Sequence, residues 1–384
     1  MKAVPYFGTA FLFVFHSLII TFAHSQIGIM SPLARKVVGS WLLIGCVMVF
    51  FQVIVGGVTR LTESGLSITQ WKPLKGIVPP LNETEWNAEF ELYKQKVQYK
   101  TINEGMELSE FKWIFFWEYF HRFWARFMGF VFIIPFAFFV LKGWIDKNFF
   151  RKIGVLLLWG GLIGVYGWIM VKIGLTGMFV PPVHLSIHLI LALSLFAYLI
   201  YMTLSVYKPN YSIVNCQSSI VNLAYAILIL LFLQIFLGGI VSGMKAGLAY
   251  PTWPDMNGEI IPSALFTEKA TTVGFVNYNA QDFWGRTFIQ FAHRFTAYTL
   301  VILVAVFFFK SRDITSDKYF KLGLNLFPVI VLLQAVIGIL TVLNCLGKIP
   351  VFYGVLHQAG AMLLIAVTVF VIFHLQSKVE KTNS

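Results

Sequence analysis

Charge is what this sequence has least of. Asp, Glu, Lys and Arg make up 12% of its 384 residues, where a soluble globular chain carries about 25%. With 58% hydrophobic residues and a mean hydropathy of +0.76, the apolar residues must face lipid rather than fill one enormous core. Cysteine is equally sparse: Cys46, Cys216 and Cys345 form no CxxC and no Cys/His zinc spacing, so no thiol chemistry is assigned to them. The formal net charge of +12 invites a nucleic-acid partner. The basic residues, however, sit in short stretches between apolar runs, the pattern of cytoplasmic membrane loops, and nucleic acid is not expected.

What the chain does have is long apolar runs. Crossing a bilayer takes about 20 such residues, and eight stretches qualify, near 37–58, 114–141, 153–172, 184–206, 219–242, 287–309, 322–345 and 351–375. Backbone groups in lipid must be satisfied internally, so each is expected to be a helix. The predicted class is an all-α integral membrane protein. Arg35 and Lys36, then Lys142, Lys147, Arg151 and Lys152, then Lys208, then Lys310, Arg312, Lys318 and Lys321, and finally Lys378 and Lys381, all fall on one side. That side is the cytoplasmic one by the positive-inside rule, which puts both termini there. The two long connections, about 59–112 and 243–286, then face outward.

Residues 1–36 read as a leader and cytoplasmic segment. "FLFVFHSLIITFA" is apolar but short, like a signal-peptide core, and no convincing small-residue cleavage site follows. Met30, ahead of "SPLARKVVGSWLL", reads as an alternative start.

An internal repeat organises the rest. "QVIVGGVTRLTESGLSITQWKP" from Gln52 resembles "QIFLGGIVSGMKAGLAYPTWPD" from Gln234, and "EYFHRF" from Glu118 resembles "QFAHRF" from Gln290. His121 and His293 are 172 residues apart, and His188 and His357 are 169 apart. The near-constant offset predicts one four-helix unit used twice in tandem, over 37–208 and 209–384, as two pseudo-symmetric bundles.

His121, His188, His293 and His357 fall on spans two, four, six and eight, each within a few turns of the outer end. Ionisable groups inside spans are costly and usually functional. Two facing imidazoles in a four-helix bundle can ligate a haem iron from both sides. Zinc fits less well, because two histidines per half without carboxylates or thiols make a poor zinc site. His184, one turn before His188, competes for the same role. His16, His24 and His374 read as incidental. Arg122, Arg126 and Arg294 are candidate partners for haem propionates, since bidentate arginine suits a carboxylate. Snorkelling toward water is the alternative for them.

The halves differ at one ionisable group. Glu118 stands three residues before His121 on the same helical face, and Gln290 takes the matching place. Glutamine can hydrogen-bond but cannot exchange a proton near neutrality. Any acid–base chemistry is therefore expected in the first half, with Glu118 as its group.

At "GGVTRLTESGLSITQWKPLKGIVPP", "EFKWIFFWEYFHRFWARFMG", "GWIMVKIGL" and "QFAHRF" the chain resembles haem A synthases, the type shared by mitochondria and Gram-negative bacteria, from about Lys36 to Leu375. The resemblance implies an oxidoreductase that converts the C8 methyl of haem O to a formyl group, giving haem A for cytochrome oxidase. It implies that His121 and His188 flank the substrate haem with Glu118 beside the reacting edge. His293 and His357 would hold a resident haem b that passes electrons. Implied partners are haem O, a haem O synthase, an electron donor and membrane lipid, with oligomers allowed. The implied setting is the inner (plasma) membrane of the cell, with the haem sites near its outer face. Three positions depart from the family pattern: residues 59–112 lack the cysteine pair of some relatives, Ala125 replaces an expected glycine, and His184 stands where relatives often have arginine. A b-type electron-transfer cytochrome would show the same four histidines, but would leave Glu118 without a required role. A transporter more often binds near the bilayer centre.

Overall fold

The computed structural model describes residues 30–70, 78–208, 217–271, 273–314 and 317–375. The leader with His16 and His24, Cys216, Lys378, Lys381 and residues 71–77 of the first long connection lie outside the described residues. In chain order the helices are α1 (Pro32–Leu61), α2 (Glu83–Lys94), α3 (Val97–Ile102), α4 (Leu108–Leu141), α5 (Lys147–Gly174) and α6 (Pro182–Tyr207). They continue as α7 (Ser218–Gly243), α8 (Ala264–Thr267), α9 (Val273–Val276), α10 (Phe283–Ser311), α11 (Lys318–Leu343) and α12 (Val351–Leu375). Among the described residues, eight of these (α1, α4, α5, α6, α7, α10, α11 and α12) are long and apolar enough to span a membrane. They are the eight expected from the sequence, and the protein is an all-α, multi-pass membrane protein.

Polar side chains close several helix starts, where the first N–H groups lack intrahelical acceptors. Asp146 Oδ1 accepts from Phe149 N at 2.7 Å, Asp282 Oδ1 from Gly285 N at 2.9 Å, and Asp317 Oδ1 from Tyr319 N and Phe320 N at 2.9 and 2.7 Å. Helix α4 begins six residues earlier than its apolar run predicts. Glu107 and Glu110 form a reciprocal capping box there. At 34 residues α4 is about 50 Å long, well beyond a hydrocarbon core of roughly 30 Å. Its extra turns carry Phe111, Ile114 and Phe115, which pack with Phe90 and Tyr93 of α2 into a small separate core. There the Tyr93 hydroxyl donates to Gln98 Oε1 at 3.0 Å and accepts from Asn103 Nδ2 at 2.7 Å, and Gln98 Nε2 donates to the Glu63 carbonyl at 3.1 Å. Burial pushes the Tyr93 hydroxyl up to about 12, so it stays a donor at neutral pH.

Burial divides the spans into two classes. In the most apolar stretch of α1, α6, α7 and α12, 50%, 56%, 39% and 44% of residues are buried, against 11%, 11%, 17% and 11% for α4, α5, α10 and α11. The first and fourth spans of each set of four therefore make the centre. Helices α1, α6, α7 and α12 all pack on one another, except that α1 and α7 make no substantial contact. One continuous apolar core, from Trp41 and Leu42 through Leu193 and Leu228 to Ile365, runs through them. The second and third spans flank this centre.

Candidate functional site

Each of the four histidines packs against a glycine on the span before it. A Cβ placed on Gly56 of α1 would stand 3.0 Å from His121 Cε1, and one on Gly167 of α5 would stand 3.0 Å from His188 Cε1. Gly238 of α7 and Gly338 of α11 stand in the same way to His293 and His357, at 3.0 and 2.8 Å. All four contacts are tighter than ordinary side-chain packing, so the imidazole plane lies where only a glycine leaves room. Each glycine is five to seven residues from the C-terminal end of its helix, so the four seats lie toward one end of the bundle.

The Gly-Gly pairs of the repeat split their work. Gly56 and Gly238 seat the histidines, whereas the second glycine of each pair faces the other set of spans. A Cβ on Gly57 would meet Gln358 Oε1 at 2.8 Å, and one on Gly239 would meet Ser186 Oγ at 2.5 Å. Gln358 also donates to the Val53 carbonyl at 2.7 Å. The motif thus brings α1 close to α12 and α7 close to α6.

Three glutamines sit four residues before their seating glycine, one helical turn away on the same face. Gln52 Nε2 lies 3.2 and 3.3 Å from the two ring nitrogens of His121 and donates to its carbonyl at 3.2 Å. Gln234 Nε2 lies 3.2 Å from His293 Nε2, and Gln334 Nε2 donates to the His357 carbonyl at 2.8 Å. Sequence reading found the first two glutamines through the repeat but missed Gln334, Gly338 and Gly167. The available signal was Gln-x-x-x-Gly on α11, unnoticed because no second glycine follows it.

The rings of His293 and His357 have centroids 6.4 Å apart at 77°. Two imidazoles sharing one iron at metal–nitrogen distances of about 2 Å would have centroids roughly 6 Å apart. Nδ1 of His188, His293 and His357 is buried without a hydrogen-bond partner, while Nε2 of His293 is reached by Gln234. The donor set thus fits a bis-imidazole haem. Among the described residues no cluster of three or more His, Cys, Asp or Glu could hold a bare metal ion.

His184 and His188 are separated by their partners. His184 Nδ1 lies 2.8 Å from the Tyr166 hydroxyl, whereas His188 rests on Gly167. The Tyr166 ring runs nearly parallel to His188, with centroids 6.3 Å apart at 14°.

Glu118 is 2% exposed and fully engaged. Its Oε2 accepts from Ser67 Oγ at 2.8 Å and from Ile68 N at 2.7 Å, and its Oε1 pairs with Arg122. At the matching position Gln290 Nε2 instead donates to the Tyr250 carbonyl at 2.9 Å. The loop after α1 presents an N–H to α4, while the loop after α7 presents a C=O to α10. The Glu/Gln difference therefore follows the polarity of the backbone that each must meet. Arg294 is spent on the same loop, donating to the carbonyls of Asp255, Tyr250 and Thr252 at 2.8, 3.0 and 2.8 Å. Of the three arginines, Arg126 is the one with a buried, unpartnered nitrogen, Nη1.

A cross-link between the sets of spans had no signal in the sequence. Glu63 and Lys245 hold equivalent places after α1 and α7, both with left-handed backbone (φ 59° and 50°). They form an ion pair with each other. Arg60 Nη2 donates to the Ser242 carbonyl at 2.7 Å, again linking equivalent positions. The thiols stay outside this chemistry: Cys46 and Cys345 are buried and free, and burial pushes Cys345 up to about 11.

Known proteins are similar to this chain over most of its length. The family model for cytochrome oxidase assembly proteins (COX15-CtaA) matches residues 39–369. The Heme A synthase of Nitrosospira multiformis is 40% identical over 340 residues, covering 88% of this chain and 93% of that protein. The Heme A synthase of Parvibaculum lavamentivorans is 41% identical over 333 residues (86% and 92%), and that of Flavobacterium psychrophilum 40% over 342 residues (88% and 97%). With its glycine-seated histidines falling within the matched region, this chain belongs to the haem A synthase family of cytochrome oxidase assembly proteins.

Proposed function

We propose that the protein is an enzyme of haem A biosynthesis that oxidises the C8 methyl of haem O to a formyl group. His121 and His188 flank the substrate haem, and His293 and His357 hold a haem b. The observation that carries this reading is the fourfold glycine–histidine seat, in two pairs, with a carboxylate beside one pair only. The bound haem b supplies one-electron transfer. The change is a four-electron oxidation: one methyl and one water give one formyl group, four protons and four electrons, and the electrons would leave by way of haem b to an external acceptor.

The chain's own side chains orient and hold protons. Gly56 and Gly167 set the planes of His121 and His188. Glu118, three residues before His121, is the ionisable group at the substrate edge, and through its Arg122 pair it aims that guanidinium. Arg126, with its unpartnered Nη1, is the first candidate for a propionate, whereas Arg294 already braces its loop. The basic residues between α4 and α5 and between α10 and α11 stand at the opposite end from the seats. This supports cytoplasmic termini in the inner membrane and haem sites near its outer face.

The test is direct. The protein, expressed with a source of haem O, is analysed for extracted haems by chromatography and mass spectrometry. Formyl haem is the expected product. Haem b alone, with co-supplied haem O unchanged, would overturn the enzyme in favour of an electron-transfer cytochrome.

A further inference from the structure

Three of the four histidine seats are locked by an amide and one is not. Gln52, Gln234 and Gln334 each reach the histidine that their neighbouring glycine seats. The position four residues before Gly167 is Ile163, which packs among apolar side chains. In its place the His188 seat has the Tyr166–His184 hydrogen bond, which touches neither the ring nitrogens nor the backbone of His188. In the other three seats the residue before the glycine is Val55, Leu237 or Ile337, none of which can hydrogen-bond.

The helix bearing this seat is also the looser one. Helix α5 packs on α6 but meets α4 over a much shorter stretch than its counterpart α11 meets α10. Gly154, Gly161 and Gly164 of α5 face open space, with no atom within 4 Å of a built Cβ. Gly323, near the start of α11, instead packs tightly on Phe370 and Val371 of α12.

We propose that His188 is the releasable ligand of the four, the imidazole through which the substrate haem is loaded and the product let go. Ile163 is the positioning residue that keeps its seat breakable, and the Tyr166–His184 pair is the weaker brace beside the ring. This inference rests on the haem O reading above. It adds which side of the substrate opens and why the resident haem does not leave by the same route.

The two claims separate in one experiment. The purified full chain, loaded with haem O in lipid nanodiscs, is mixed with excess apomyoglobin as a haem scavenger, and loss of each haem is followed by absorbance. Ile163→Gln restores the missing amide and slows haem O departure about three- to tenfold, the worth of one hydrogen bond. Tyr166→Phe removes the substitute contact and speeds departure. Both leave the haem b band intact, which also reports that the fold survives. Haem O lost from Ile163→Gln as fast as from wild type, with haem b retained, overturns the proposal and leaves the enzyme reading standing. Wild-type protein that takes up no haem O overturns both. If Ile163→Gln does not accumulate, Gln334→Ile carries the test in reverse: faster haem b loss supports the proposal and unchanged retention sinks it.

Discussion

Helices α4 and α5 meet over a short stretch, while α10 and α11, their counterparts in the second set of four spans, pack along each other. Beside them, the loop after α1 offers an N–H and a hydroxyl to a glutamate, and the loop after α7 offers carbonyls to a glutamine and an arginine. Yet the seats beneath are built alike, glycine against imidazole, four times over. What is common to the two sets is whatever holds a planar ligand between two rings. What differs is the packing of the third span and the presence of a carboxylate. On the proposed function, a duplicated scaffold would thus keep one ligand and exchange the other, with few substitutions outside the seats.

The comparison breaks most visibly at the second pair. His293→Ala or His357→Ala should abolish the haem b band in a reduced-minus-oxidised spectrum, because a single imidazole leaves one iron face without its ligand. A retained band would remove these residues from the resident site. Next in size, Glu118→Gln should lower product by about a hundredfold or more while haem b content stays near wild type. The reciprocal Gln290→Glu sets a carboxylate against the Tyr250 carbonyl and should cost about 1–3 kcal/mol in thermal unfolding, with its haem b partly lost. Wild-type turnover in Glu118→Gln would reduce that residue to a brace for its loop.

Seat substitutions sharpen the contrast. Gly56→Ala and Gly238→Ala each push a methyl against a ring and should cost about 1–3 kcal/mol of overpacking. The first should weaken haem O binding alone and the second haem b alone, both read by titration. A shared effect on both haems would mean that the seats are not independent. The smallest effect belongs to the cross-link. Glu63→Lys faces Lys245 with a like charge and should lower the melting temperature by a few degrees, about 1 kcal/mol for a partly exposed pair. The exchange Glu63→Lys with Lys245→Glu should recover most of the loss. Failure of the double exchange to recover would show that Phe179, 4.1 Å below the Lys245 ammonium, decides the contact instead of the charge.

Much of this was legible in the chain because lipid imposes a simple code. Apolar length declares a span, and a costly polar group within it declares a purpose, so His121, His188, His293, His357 and Glu118 stood out. Gln334, Gly338 and Gly167 did not stand out, since a lone glycine or glutamine in a span has no periodic pattern. Their meaning comes only from the ring that each one meets on the following helix. Arg122 and Arg294 likewise looked equivalent, and only their partners, a carboxylate and three carbonyls, distinguish them.

The sequence by itself determined the solvent, the number of spans, the repeat and the histidines proposed to hold iron, because each depends on composition or spacing along one chain. The tertiary structure decided which spans lie at the centre and which histidine lacks an amide lock. It also decided which of His184 and His188 is free, and that Glu63 and Lys245 meet across the repeat. Those are matters of distance between segments some twenty to three hundred residues apart, and only packing brings such segments together.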